Sequence, residues 1–289
     1  MRINKPIFIV GSGRSGTTLL HDILAINENV AWISNLTNKY YRFPQLALLH
    51  RILELPLIGN KLKQNIIDET SWDFIRPSEG ENIYQKFCGY GVGKILTKND
   101  VNSIKNTKLK QIIKSHLYYS NKHRFINKSP SNVQRIEILN SIFPDAYFIH
   151  IIRDGRAVVN SLNNVPWWKD VKLWWAKGKL PNDLEKQGMH PLIIKARHWE
   201  NNVKEVRRHQ RKLKGRYMEI YYEDFIRDIP GTIKMICDFC SLKYSDKYLS
   251  LIPLKFSTMD YKWKKSFNLN ERRILNINLK KTLDSMGYK

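Results

Sequence analysis

IFIVGSGRSGTT, residues Ile7–Thr18, decides how the rest of the chain is read. Pro6 precedes an apolar run, Ile7, Phe8, Ile9 and Val10, dominated by β-branched and aromatic residues, which predicts a short buried strand. Gly11, Gly13 and Gly16 then let the backbone turn tightly and approach a ligand. Beyond them Thr17, Thr18, Leu19, Leu20, Ile23 and Leu24 place apolar residues at helical spacing, so a helix is expected to start inside the loop. Its free N–H groups and its dipole would face an anion.

Against the phosphate-loop template G-x-x-x-x-G-K-[ST], Gly11 and Gly16 fit and Thr18 supplies the hydroxyl, but Thr17 stands where the lysine should be. The loop offers Arg14 instead, a fork of donors suited to several oxygens at once. The run P-x-x-x-x-G-x-x-R-S-G-T-T-L-L, from Pro6 to Leu20, resembles the 5′-phosphosulfate loop of sulfotransferases that use 3′-phosphoadenosine-5′-phosphosulfate (PAPS). That resemblance implies nucleotide contacts from Gly13, Arg14, Ser15, Gly16, Thr17 and Thr18.

A second strand-to-loop transition follows in FPDAYFIHIIRDGRAVVNSL, residues 143–162. Tyr147–Ile152 reads as a buried strand, Arg153 to Gly155 as its turn, and Ala157 onward as a helix. The segment is similar to the family's R-D-G-R-A element with a serine eight residues past the first arginine, which here gives Arg153 and Ser161. The resemblance assigns them the cofactor's 3′-phosphate; the bare pattern also fits an Arg153–Asp154 surface ion pair. Between the two loops, RFINKSPSNVQRIEIL puts Lys128 at the end of a strand, with Ser129 as N-cap, Pro130 in the first helical position, and Val133, Ile136, Leu139 and Ile142 on one apolar face. It resembles the family's N-K-x-P element, whose lysine meets the transferring sulfonyl group or the leaving oxygen.

RYMEIYYEDF reads as a further strand running into a turn, similar to the family's Y-E-x-L/F, so Tyr222 is expected near the nucleotide. Toward the end of the sequence, YKWKKSFNLNERRIL resembles a segment whose basic residues close over the 3′-phosphate. That makes Lys264 and Lys265, with Lys262, the expected contacts, while Asn268 and Glu271 fit a helix cap.

Sulfonyl transfer needs positive charge where the leaving oxygen develops negative charge, and a base for the acceptor. Arg14 and Lys128 are the expected cations; IRPSEGENIYQKF is similar to bacterial sulfotransferases with a glutamate after R-P, a resemblance that makes Glu79 the expected base, and His21 and Asp22 are alternatives on the first helix. Ser78 and Glu81 also stand at capping-box spacing, which would leave Glu79 a helix-dipole role. No metal is required in principle. Trp167, Trp168, Trp174 and Trp175 either stack on a sugar or base or anchor a loop to the core.

The 289 residues carry 49 Lys+Arg against 26 Asp+Glu, a net charge of +23 that attracts anions but names no partner. Cys88, Cys237 and Cys240 form no disulfide framework, and the C-x-x-C at Cys237 and Cys240 lies in an apolar helical stretch where core packing is expected. FPQLALLHRILELPLIG, interrupted by His50, Arg51, Glu54 and Pro56, is too broken to span a bilayer but can present an amphipathic face to a lipid or hydrophobic acceptor. A strand starting at Pro6 leaves no room for a signal peptide, so a cytoplasmic protein is expected.

These features predict a single α/β domain over 1–289. Its architecture is a P-loop-like three-layer sandwich, with a mainly parallel central sheet flanked by helices and both loops at the carboxyl ends of strands. The expected activity is PAPS-dependent transfer of a sulfonyl group to a hydroxyl or amine on a carbohydrate or glycolipid. Peripheral contact with an anionic membrane is compatible with the charge. A kinase or a basic nucleic-acid-binding protein are the rival readings, and nucleic acid is not expected as a partner.

Overall fold

The computed structural model describes residues 2–70, 73–256 and 262–288. Its five strands are β1 (Ile7–Val10), β2 (Val30–Ala31), β3 (Arg124–Lys128), β4 (Tyr147–Ile152) and β5 (Tyr217–Tyr221). They form one sheet in the order β2-β3-β1-β4-β5, with every pairing parallel. β1 and β4 occupy the residues predicted for them. β1 is central, and its register sets Ile9 beside Lys128 of β3 and Val10 beside His150 of β4.

The strands read as unbroken apolar runs because both faces of the sheet are covered. Alternate residues divide between two cores. Ile7 and Ile9 join Ile126, Ile149 and Ile151 under the helix Thr17–Ala25 (α1) and the helix Ile229–Cys240. Phe8 and Val10 join Phe125 and Phe148 under the helices Ser103–Ser120 and Ile136–Ile142. A third cluster binds the helices Gly155–Asn163, Pro191–Arg208 and Leu269–Asp284 beside the end of β4. The result is the predicted three-layer sandwich. Cys237 and Cys240 lie in its core, where burial pushes both thiols up to about 12. Among the described residues no helix is long and apolar enough to cross a membrane.

Two local expectations fail for one reason. The helix predicted from Pro130 to Ile142 is broken into a 3-10 turn, Pro130–Gln134, and a helix that restarts at Ile136. The Ser78–Glu81 capping box does not form either, and Asn82–Phe87 winds as a π-helix. At the break sits Arg135, only 1% exposed, which turns inward and grips Glu81 with two hydrogen bonds of 2.9 and 2.8 Å. Its guanidinium also lies 4.5 Å from the Tyr84 ring centroid. Ser129 Oγ and Gln85 Nε2 donate to the same carboxylate at 2.6 Å each. A buried cation needs a bidentate partner, and that requirement outweighs regular helix geometry here.

Burial alone would raise the Glu81 pKa, but the charge and hydrogen bonds of Arg135, with Ser129 and Gln85, lower it from 4.5 to about 2. A depressed folded-state pKa contributes stability that is present above about pH 4.5 and is lost as pH falls toward about 2. Glu81→Gln should cost about 3 kcal/mol at neutral pH, because it leaves Arg135 buried without its counter-charge. Urea unfolding followed down through that window should show the wild type losing its advantage over the variant.

Candidate active site

The loop between β1 and α1 is built for close approach. Gly16 caps α1 at φ +86° and, having no side chain, leaves the N–H groups of the first turn without a side-chain cap. The Tyr222 ring packs so tightly on Gly16 that a Cβ there would overlap it. Arg14 adopts φ +71°, uncommon for a residue with a side chain, and this aims it out of the loop. Gly13, Arg14, Thr17 and Thr18 line the cleft, whereas Ser15 is 1% exposed inside the turn.

The two loops meet through Arg14. Its Nε donates to Ser161 Oγ at 2.8 Å, and Arg153 Nη1 donates to the Arg14 carbonyl oxygen at 3.2 Å. The Arg153 guanidinium in turn lies 4.3 Å from the Tyr222 ring centroid. Asp154 caps the helix Gly155–Asn163, which starts two residues before the predicted Ala157, and pairs with Arg156 at 2.7 Å. A salt bridge to Arg156 explains Asp154 without the Arg153 pairing the bare sequence allowed. Trp199 sets the strand end, donating from Nε1 to the Arg153 carbonyl at 3.0 Å.

Arg14, Arg153, Ser161 and Tyr222 line a recess of about 370 Å³ with no carboxylate among its described lining residues. The C-terminal lysine that reaches it is Lys262; Lys264 and Lys265 do not line it. Lys264 instead lies along the Trp263 ring at 5.8 Å, and Trp263 is buried against Arg156. The short helix Lys262–Ser266 points one residue in each turn inward, and Trp263 takes the core-facing position that fixes its phase.

Arg14 also lines a second, larger cleft of about 630 Å³ with Lys128 and Glu79. Lys128, 5% exposed, donates to Thr18 Oγ1 at 3.0 Å and to Glu79 Oε1 at 2.8 Å. Asn127 Nδ2 holds the Glu79 carbonyl at 3.1 Å, and Tyr84 and Asn132 both donate to Asn127 Oδ1. Glu79 therefore has a fixed backbone and a carboxylate that is 42% exposed to the cleft. His21 and Asp22 are 1% and 2% exposed and do not line it. Burial, helped by Lys128, pulls the His21 pKa well down, while burial raises Asp22 to about 7 against the opposing charges of Lys128 and Arg76.

The four tryptophans divide. Trp167 is exposed on the cleft wall; Trp168 is buried edge-on to His198 at 5.2 Å. Trp174 Nε1 donates to Asn202 Oδ1 at 2.9 Å, and Trp175 packs against the third core cluster. His198 and Asn202 also line the cleft and carried no motif in the sequence; their i,i+4 spacing on one helix is their only trace. Since Asn202 Oδ1 accepts from Trp174, its Nδ2 donates to His198 Nε2 at 3.1 Å. Burial pulls the His198 pKa down to about 4, so the ring is neutral.

The chain belongs to the sulfotransferase family: the sequence model described as Sulfotransferase family matches residues 6–246. Omega-hydroxy-beta-dihydromenaquinone-9 sulfotransferase Stf3 of Mycobacterium bovis is 25% identical over 183 residues, 55% of this chain and 44% of that protein. The Mycobacterium tuberculosis protein of the same name matches to the same extent. The chain thus spans less than half the length of these curated relatives. Among solved structures, sulfotransferase STF9 from Mycobacterium avium superposes with a TM-score of 0.62 at 17% identity, covering 100% of this chain and 78% of that one. The sulfotransferase domain of the Synechococcus PCC 7002 olefin synthase gives 0.52 at 19% identity, covering 100% and 97%. At these identities the solved structures establish the fold.

Gly16→Ala should destabilise the protein by roughly 2 kcal/mol or more, from backbone strain at positive φ plus overlap with Tyr222. In a Tyr222→Ala background the steric part should vanish and the strain part remain. A thermal-denaturation double-mutant cycle that shows simple additivity would contradict this packing.

Proposed function

We propose that this protein is a single-domain sulfotransferase that moves a sulfonyl group from PAPS to a hydroxyl or amine acceptor. The observation that carries the reading is that Arg14 lines both recesses at once, the Arg153–Ser161 recess and the Lys128–Glu79 cleft. A donor with a phosphate at each end of its ribose matches that pair of sites. The loop N–H groups and Arg14 would hold the 5′-phosphosulfate, and Arg153, Ser161 and Lys262 the 3′-phosphate. Tyr222 would bear on the nucleotide through its stack with Arg153.

In the in-line displacement we infer, Glu79 takes the proton of the acceptor hydroxyl as its oxygen attacks sulfur. The sulfur–oxygen bond to the 5′-phosphate breaks, and Lys128 with the loop N–H groups meets the charge left on that oxygen. The rival kinase reading requires the Thr18 hydroxyl for Mg²⁺. Here the Lys128 ammonium already donates to it, and a divalent cation beside that ammonium would be repelled.

Trp167, Val171, Leu162 and Pro130 give the cleft an apolar wall. A hydroxyl on an apolar or glycolipid-like body, borne by an anionic membrane, is therefore the acceptor class we favour. The name of the mycobacterial relatives, which specifies a hydroxylated menaquinone, supports it. Buried free thiols at Cys88, Cys237 and Cys240 suit work in the cytoplasm. The direct test is incubation with labelled PAPS and a panel of hydroxylated lipids, glycans, phenols and peptides, read by mass spectrometry; no labelled product from any class would count against the reading.

Arg153→Ala should weaken binding of 3′-phosphoadenosine-5′-phosphate by roughly tenfold to a hundredfold and leave ADP almost unaffected, as one charge-assisted contact is lost. Calorimetry in EDTA measures both, and equal losses would reopen the kinase reading. Glu79→Gln should lower kcat by about a hundredfold or more while nucleotide affinity holds, and should also lower Tm, because Lys128 loses its counter-charge. Near wild-type turnover would return Glu79 to a structural role.

A further inference from the structure

Residues 40–58 leave Phe43, Leu48, Leu49, Leu55, Leu57 and Ile58 on the surface, with Leu57 96% exposed. Seven of the sixteen exposed large apolar side chains among the described residues, counting Tyr40, fall in this one stretch, so they form a concentration rather than the scatter normal to protein surfaces. The segment is a 3-10 helix, Pro44–Glu54, followed by a turn into the helix Gly59–Ile67. Its inner side is fully used: Ala47, His50 and Leu53 are buried, with His50 stacked on Trp32 at 4.5 Å. The outer apolar side chains are therefore surplus to the core.

Charge identifies what covers them. Lys39, Arg42, Arg51 and Lys61 are exposed around the patch. Glu54 is the lone acid between residues 39 and 67. Its carboxylate is turned onto Lys122 at 2.6 Å and Lys63 at 3.2 Å. Burial works against its ionisation, but those two lysines outweigh it and hold the pKa below the usual range. Within residues 39–67 the exposed side chains are thus apolar with a cationic rim and the one acid is paired, the chemistry of a segment lying in a bilayer interface among anionic headgroups. The segment just before the patch, residues 34–38, is tied to the stretch that carries Glu79. Asn38 Oδ1 accepts from Asn82 N at 2.9 Å, Asn35 Nδ2 donates to the Asp73 carbonyl at 3.0 Å, and Ser34 bridges Pro77, two residues before Glu79.

We propose that residues 40–58 dock the protein on an anionic lipid bilayer, inserting Leu55, Leu57 and their neighbours between headgroups. The purpose of this docking rests on the lipid-borne-acceptor reading, but its test does not. The protein, without donor or acceptor, is sedimented with vesicles of phosphatidylcholine alone and of phosphatidylcholine mixed with phosphatidylglycerol.

The expected result is binding to the mixed vesicles, weakened by salt, and little to the neutral ones. Leu57→Asp should lower the partition coefficient by about tenfold or more with Tm unchanged. Ile277→Asp, on an exposed helix position elsewhere (66% exposed), should leave it alone. Equal binding to both vesicles, or equal effects of the two substitutions, would overturn the proposal. So would a concentration-dependent dimer abolished by Leu57→Asp, which would make a second copy the occupant. Loss of nucleotide binding with vesicle binding intact would sink the transferase reading and leave the docking surface standing.

Discussion

The arrangement on which this site depends is the parallel order β3-β1-β4. Parallel strands end on the same side, so fixing β1 between two neighbours brings three chain segments, far apart in sequence, to one edge of the sheet. The loop after Val10, the Lys128 that terminates β3 and the Arg153 that follows β4 all emerge there. Helices cannot carry these groups to the same point without that register. The cation missing from the loop at Thr17 is supplied laterally by Lys128, whose ammonium reaches Thr18 from the neighbouring strand. A lysine arriving from the side leaves the floor of the loop to backbone N–H groups and puts its charge next to Glu79.

Placing a cation there at 5% exposure is costly unless its partners are fixed beforehand. The wall opposite the loop does this through two polar clusters. In one, Asn132 and Tyr84 orient Asn127, which holds the Glu79 backbone. In the other, Arg135 and Ser129 clamp Glu81. Both carboxylates belong to one short stretch, yet their environments separate them: Glu81 is spent on structure, whereas Glu79 keeps an exposed face beside a single ammonium. That division favours Glu79 over Glu81 for proton transfer, since a carboxylate that already accepts four hydrogen bonds has little capacity left for a fifth.

The local parts of this architecture were legible in the sequence because they obey local rules. Apolar β-branched runs marked β1 and β4 to the residue, and the glycines and helical spacing after Val10 marked the loop. What failed was set by contacts across the chain. Arg135 broke a helix whose apolar periodicity was sound, because its partner Glu81 lies 54 residues away. Among three neighbouring lysines the choice of Lys262 depended on Trp263 facing the core, which the run KWKK, residues 262–265, does not by itself reveal. His198 and Asn202 were invisible for the same reason: a histidine on an amphipathic helix acquires meaning only once Trp174 and Trp168 have been folded against it.

Arg14 then takes on a role beyond contributing charge. Its backbone sits at positive φ, its carbonyl is held by Arg153, and its Nε is held by Ser161, so its position is determined by the second loop as much as by its own. A ligand in the Arg153–Ser161 recess competes for those same donors and acceptors, and any rearrangement there is passed to the side chain that lines the cleft. On the proposed binding mode, recognition at the remote end of a nucleotide is thereby tied to charge placement at the reacting end. Binding energy gained far from the chemistry serves catalysis only when some element converts it into geometry at the reacting atoms. In this chain the element shared by both recesses is Arg14.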